Sequence, residues 1–367
     1  MKKVLAFSLQ KKFKRNFTTG YNLLNSYKCD YGQGGALQMC LENRLYNLQL
    51  ETIWDDFTEV ETWKKPDQQD LYFVTKNDGA KNSIFHISDE NYKAKSEDLV
   101  ENNKYQIKVK LPEYYSYKLK VNGSVEHKKG YVDAKTYGNV EINTILDQGD
   151  IILNKIKSEI CNLQSTNGKI HILSGLEAQL ANITTESGEI FIKKLGLTAK
   201  GHIFSKKGNI TINSLYGVPH TEHIKEQAEL NEIPTEIHKS NFLSINSVNS
   251  NVSIGSAHGN LVIQCLEGNM EIKRCDANQL LLENEKGAIK INLINLRQSS
   301  LIKLKDNGDL SLSVGPNFEG NIYFVDSNTF WREENKKPGV PTLYIKGKVS
   351  ETTIFNSNND VYSFLRN

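Results

Sequence analysis

Gly168-Lys169-Ile170-His171-Ile172, Gly188-Glu189-Ile190-Phe191-Ile192 and Gly208-Asn209-Ile210-Thr211-Ile212 are successive copies of one short pattern. Glycine opens each copy, and apolar residues hold its third and fifth positions. The pattern returns at residues 149–153, 268–272, 287–291 and 308–312, and at 250–254 it recurs with Ser250 in place of glycine. Along the clean runs the glycines stand 19, 20 and 20 residues apart, then 19 and 21. Alternation with a period of two predicts strands with one buried face. A near-constant interval predicts equivalent stacked rungs, none of which can bury its apolar side alone. The expected fold is all-β: a single-chain parallel β-helix, or β-solenoid, with rungs of about 20 residues stacked about 4.8 Å apart.

The surrounding residues support that reading. Apolar residues recur five positions before the glycine, at Leu163, Ile183, Ile203, Ile245, Ile263 and Leu282, which gives each rung at least two short strands and a corner. Asn167-Gly168, Ser187-Gly188 and Asn307-Gly308 pair a turn former with glycine, which predicts a tight corner at positive φ. An antiparallel sandwich has no need of glycine at a fixed interval, and helical repeats need an apolar period near 3.6.

Four regions follow from the same reading. Residues 1–20 carry six Lys or Arg side chains and several hydroxyls, and the first acidic residue is Asp30. Such an acid-free basic segment is expected to be a mitochondrial targeting segment. Residues 21–104 read as an N-terminal β region and cap, 105–314 as the solenoid, and 315–367 as a C-terminal cap rich in aromatics. Exposed strand edges require such caps. The repeat is interrupted at 216–239, where alternation is lost. This stretch is expected to be a loop thrown out from one rung, and insertions in solenoids often carry the contacts.

Composition narrows the function. The 367 residues carry a net charge of +2, so no global charge drives binding to nucleic acid or to a membrane surface. No apolar run is long enough to span a bilayer. Five cysteines, an odd number without a CxxC pair, do not form a disulfide framework and point to a reducing compartment.

Chemistry is sparse. His220, His223 and His238, with Glu222 and Glu226 near, are the one candidate metal set, but the His-Glu-x-x-His spacing is absent and a polar loop is the simpler reading. No phosphate-binding glycine loop precedes a helix. The outward residues of the glycine strands (Asp150, Lys169, Glu189, Asn209, Asn269, Ala288 and Asp309) mix charges instead of clustering carboxylates as a carbohydrate-active enzyme needs. Lys193-Lys194 is a small basic cluster without the aromatic interleaving of a nucleic-acid site.

The Ser/Asn-Gly-x-Ile-x-Ile strands, preceded by Val109-Lys110-Leu111-Pro112, resemble the adhesin-like β-solenoid family, a bacterial group with mitochondrial relatives in eukaryotes. The resemblance spans residues 105–315 and implies the fold without a shared catalytic motif. The expectation is a non-catalytic scaffold without a cofactor. It would be a structural accessory subunit of a large mitochondrial assembly, such as a respiratory-chain complex or ATP synthase, in the matrix or at the inner membrane. Its partners would be protein subunits, with no nucleic acid. Tyr216, His220, Ile224, Leu230, Ile233, Phe330 and Trp331 are the expected contacts. The alternatives are a surface adhesin-like module that binds glycan or protein, and a carbohydrate-active enzyme on a parallel β-helix.

Overall fold

A computed structural model of the chain describes residues 21–29, 35–78, 84–91, 104–129, 131–144, 149–217, 242–305, 308–315, 318–327, 329–330, 339–347 and 352–356. These residues form strands and turns, with no helix among them. The strand Ile170–Thr185 lies parallel to Ile151–Ser165 on one side and to Ile190–Ser205 on the other. Ile170 faces Ile151 and Ile190, Ile172 faces Leu153 and Ile192, and Ile183 faces Leu163 and Ile203. All nine side chains are at most 1% exposed. The alternating residues of the repeat therefore stack into continuous apolar columns, and each such side chain contributes about 1.5–3 kcal/mol by leaving water. Register irregularities after Ile172 and after Ala178 mark two bends, so each rung has three short faces.

The ladder glycines stand at the corner that follows the third face. A Cβ on Gly168 would lie 1.9 Å from the carbonyl oxygen of Gly149. The corresponding separation is 1.7 Å for Gly188 over Gly168 and 1.8 Å for Gly208 over Gly188. Backbone stacked on backbone is thus what requires glycine here. The positive φ expected from the sequence occurs, among the glycines of the repeat, at Gly268 (139°) and Gly287 (134°).

Side chains complete the corner. Ser165, Thr185 and Ser205, each three residues before a glycine, accept hydrogen bonds from the N–H groups of Gly168, Gly188 and Gly208 at 3.0, 2.9 and 2.9 Å. All three are at most 2% exposed. They satisfy donors that would otherwise be stranded in the core. Outside the corner, Asp150 accepts from the Lys169 N–H at 2.8 Å. Asn209, Asn251 and Asn269 do the same for Asn251, Asn269 and Ala288 at 3.1, 2.8 and 2.9 Å. The outward residues that follow the glycines are therefore structural clasps between rungs.

The interruption of the repeat is one rung, although its 42 residues from Gly208 to Ser250 equal the length of two. Ile210, Ile212 and Leu215 pair directly with Ile190, Ile192 and Leu195 on one side and with Val252, Ile254 and Ala257 on the other. Leu243–Asn249 supplies the missing third face between Ile190–Ser205 and Val252–Glu267. The described chain stops at Gly217 and resumes at Phe242, between the second and third faces.

Parallel stacking reaches beyond 105–314 at both ends. Ala36–Ile53 lies parallel to Ser116–Lys129, Thr342–Lys346 to Ser300–Leu304, and Thr352–Asn356 to Leu310–Val314. The same close approach recurs there, with a Cβ on Gly123 placed 1.9 Å from the Tyr46 carbonyl oxygen and one on Gly347 placed 1.9 Å from that of Leu304. Buried Asp89 fixes the bend of the first rung, accepting from the N–H groups of Glu42 and Asn43 at 3.1 and 2.8 Å and from the Tyr46 hydroxyl at 2.7 Å.

Antiparallel pairs close the stack. At one end these join Asn22–Cys29 to Thr58–Lys64, Thr58–Lys64 to Tyr105–Pro112, and Val74–Asp78 to Ile84–Ser88. At the other, Thr329–Phe330 pairs with Asn321–Phe324. Beside that antiparallel pair, Thr352–Asn356 remains parallel to Leu310–Val314.

Candidate binding surface

On the second face, register places Lys157, Glu177, Gly196, Tyr216, His258, Asp276 and Asn295 in one outward column. Parallel in-register stacking brings these residues together although Tyr216 and His258 are 42 positions apart. Tyr216 is 47% exposed. Its ring stacks on His258 with centroids 5.5 Å apart and planes 7° apart. The Lys194 ammonium lies over the ring, 5.2 Å from its centroid. Such a contact at an exposed site is worth about 0.5–1 kcal/mol.

Charge surrounds this aromatic pair. His258 Nδ1 is 3.5 Å from Asp276 Oδ2, and Arg297 Nη1 is 2.8 Å from Asp276 Oδ1. On the other side, Lys157 Nζ is 3.5 Å from Glu177 Oε2. These pairs are partly exposed, with side chains 25–49% accessible, and add modestly to stability. Between Glu177 and Tyr216 the column has no side chain, because Gly196 occupies that position.

Other titratable groups are structural. Burial pushes the thiols of Cys161 and Cys275 up to about 12, and burial together with the Glu42 hydrogen bond pushes Cys40 up to about 11. All five cysteines are free thiols. Burial works against ionisation of Glu189, but hydrogen bonds from His171 and Lys169 outweigh it and hold the carboxyl below its ordinary range. Burial lowers the His202 imidazole. His171, His202 and His258 belong to three different columns and do not meet.

Of the residues expected from sequence to make contacts, Tyr216 is exposed on the column, and Phe330 pairs opposite Tyr323 in the closing hairpin. His220, His223, His238, Ile224, Leu230, Ile233 and Trp331 lie outside the described residues. Among the described residues no group of three or more His, Cys, Asp or Glu is placed to hold a metal ion. No helix among them is long and apolar enough to cross a membrane. Sequence reasoning missed Gly196 and His258 as neighbours of Tyr216, and the Asp276–Arg297 pair beyond His258. A signal was present, because Lys157, Gly196, Tyr216, His258 and Asp276 each stand eight residues after a ladder glycine or its Ser250 substitute.

The described strands form a parallel β-solenoid with an exposed aromatic and charged column on its second face. The chain belongs to the Toastrack DUF4097 family, which it matches over residues 59–361. The search of curated proteins gives no match. Among solved structures it is similar to a putative adhesin from Parabacteroides merdae at 9% identity, covering 92% of this chain and 97% of that one with a TM-score of 0.37. It is also similar to a putative adhesin from Bacteroides fragilis at 14% identity, covering 90% and 96% with a TM-score of 0.26. A putative lipid binding protein from Parabacteroides distasonis is similar at 10% identity, covering 92% and 97% with a TM-score of 0.32.

Proposed function

We propose that this chain is a non-catalytic, adhesin-like binding module, a β-solenoid that holds its second-face column rigid for an external partner. The carrying observation is the half-exposed Tyr216 ring, stacked on His258 with Lys194 over it, and the Asp276–Arg297 pair that continues the column beyond His258. Aromatic and arginine side chains held in place are the groups that dominate recognition surfaces. Asp150, Asn209, Asn251 and Asn269 accept from backbone N–H groups of the next rung, which supports a scaffold role for that part of the surface.

The test is adherence of the purified full chain to surfaces coated with mucin, fibronectin or collagen. Saturable adherence that falls at least tenfold in Tyr216→Ala and in Arg297→Ala is the expected result. Adherence to none of the surfaces, or adherence indifferent to both changes, would overturn the reading.

The acid-free basic segment at residues 1–20 favours a second reading, a mitochondrial accessory subunit that contacts protein partners through the Tyr216 region. Cell fractionation separates the two readings. Recovery in mitochondria, co-migrating with a large complex on native gels, supports the second, and recovery at the cell surface supports the first.

A further inference from the structure

Glycines in this solenoid differ in what a side chain would meet. On the ladder, a Cβ would strike backbone within 2 Å at Gly168, Gly188 and Gly208. At Gly196 it would meet only Glu177 Cγ at 3.6 Å and the Leu176 carbonyl oxygen at 3.9 Å. At Gly175 it would meet the Lys194 carbonyl oxygen at 3.6 Å and Lys194 Cβ at 3.7 Å. These are ordinary contacts. Among the described glycines, Gly175 and Gly196 alone combine such room with a backbone outside the left-handed region. Packing would accept alanine at both. Strand glycines mark a bulge, a bend or a close approach by a ligand; Gly175 falls at a register shift after Ile172, whereas Gly196 stays in register with Glu177 and Tyr216.

Gly196 lies in the exposed column between Glu177 and Tyr216. Its missing side chain opens a slot two rung spacings wide, about 9.6 Å between the flanking backbones. The floor is bare backbone. One wall is the Tyr216 ring, on the face turned away from His258. The other wall is Glu177, whose side chain is 46% exposed and paired with Lys157. Lys194, an exposed side chain on the same rung as the glycine, reaches over the ring.

We propose that this slot is a saccharide subsite that takes one pyranose ring. The ring's C–H face stacks on Tyr216, and its hydroxyls donate to Glu177 and accept from Lys194, which swings from the tyrosine to the sugar. The chemistry favours a polyol. Hydroxyls both donate and accept, matching a carboxylate and an ammonium at one rim. An apolar side chain would desolvate both charges without pairing them. A phosphate would be set against Glu177. The proposal rests on the adhesin-like reading and names its ligand.

The test uses an array of immobilised oligosaccharides with neutral, uronic-acid and amino-sugar termini, probed with the full chain. The expected result is retention on at least one oligosaccharide, reduced at least tenfold by Gly196→Leu and by Tyr216→Ala. Gly196→Ala should weaken retention less than Gly196→Leu, because a methyl group fills less of the slot. Melting temperatures report whether each variant is folded. If Gly196→Leu fails to fold, Tyr216→Ala and Glu177→Gln, both at exposed side chains, decide the matter. Retention on no oligosaccharide, or retention unchanged by the substitutions, overturns the subsite.

A second arm repeats mucin adherence after enzymatic deglycosylation. Loss of adherence supports the subsite. Tyr216-dependent adherence that survives deglycosylation overturns the saccharide while the binding-module reading stands. Adherence to neither surface removes both.

Discussion

At Gly188 a methyl group would sit 1.7 Å from the Gly168 carbonyl oxygen, whereas at Gly196 it would meet nothing closer than Glu177 Cγ at 3.6 Å. Eight residues separate the two, on one rung. The first lies at the corner where consecutive rungs touch backbone to backbone. The second lies on an outward face where side chains, and not backbone, fill the space between rungs. Glycine at the corner is a requirement of stacking. On the face it is a gap in an otherwise continuous column of side chains. The same residue type therefore reports the fold at one position and a surface for recognition at the other.

That contrast can be broken or sharpened by substitution. The largest effect is expected at the corner. Gly208→Val places a branched side chain where a Cβ alone would be 1.8 Å from the Gly188 carbonyl oxygen. The expected outcome is a loss of about 4 kcal/mol or more, seen as insoluble protein or a collapsed melting transition. A milder change tests the apolar columns. Ile172→Ala, at a fully buried position, should cost about 2–5 kcal/mol in chemical denaturation.

The buried hydroxyls come next. Thr185→Val keeps the shape but leaves the Gly188 N–H without its 2.9 Å acceptor, at a cost of about 1–3 kcal/mol. Thr185→Ser should restore most of that stability, and failure to do so would deny the hydroxyl its role.

Surface charge should matter least. Hydrogen bonding from Lys303, aided by the Lys305 ammonium 3.5 Å away, holds the Glu283 carboxyl below its ordinary 4.5, although burial opposes this. A depressed carboxyl stabilises the fold above the unfolded-state value, and the contribution is lost as pH falls toward the folded-state value. Glu283→Gln should therefore destabilise the fold slightly at pH 7, by less than about 1 kcal/mol, read from its melting curve. The difference should narrow as pH falls below the ordinary carboxyl range and close once Glu283 is protonated in the folded state too. A difference that grew on acidification would contradict the sign.

Much of the fold was legible because the repeat is physical. The Ile columns and the corner glycines must recur wherever rungs stack, so Ile170, Ile190 and Ile210 announced themselves. The limits of the stack were harder to read. Gly123 stands 26 residues before Gly149, and Gly347 stands 39 after Gly308. Both serve the same close approach, but intervening chain hides the interval. The candidate surface was half legible. Tyr216 stood out as an aromatic beside the interruption, but its neighbours depend on register across rungs. His258 reaches Tyr216 only because residues 210–216 and 252–258 pair directly, with a 42-residue sequence offset in between. Even the reason for the ladder glycines was misread, since a carbonyl oxygen one rung away is invisible along the chain.

The account turns on the difference between Gly188 and Gly196, and thermal melting of Gly188→Ala and Gly196→Ala side by side measures it. The predicted result is a severe loss for Gly188→Ala. Gly196→Ala should melt at or slightly above the unsubstituted chain, since alanine at a permissive position stabilises by about 0.4–1 kcal/mol through the unfolded state. Equal losses in the two variants, or a tolerated Gly188→Ala, would contradict the account.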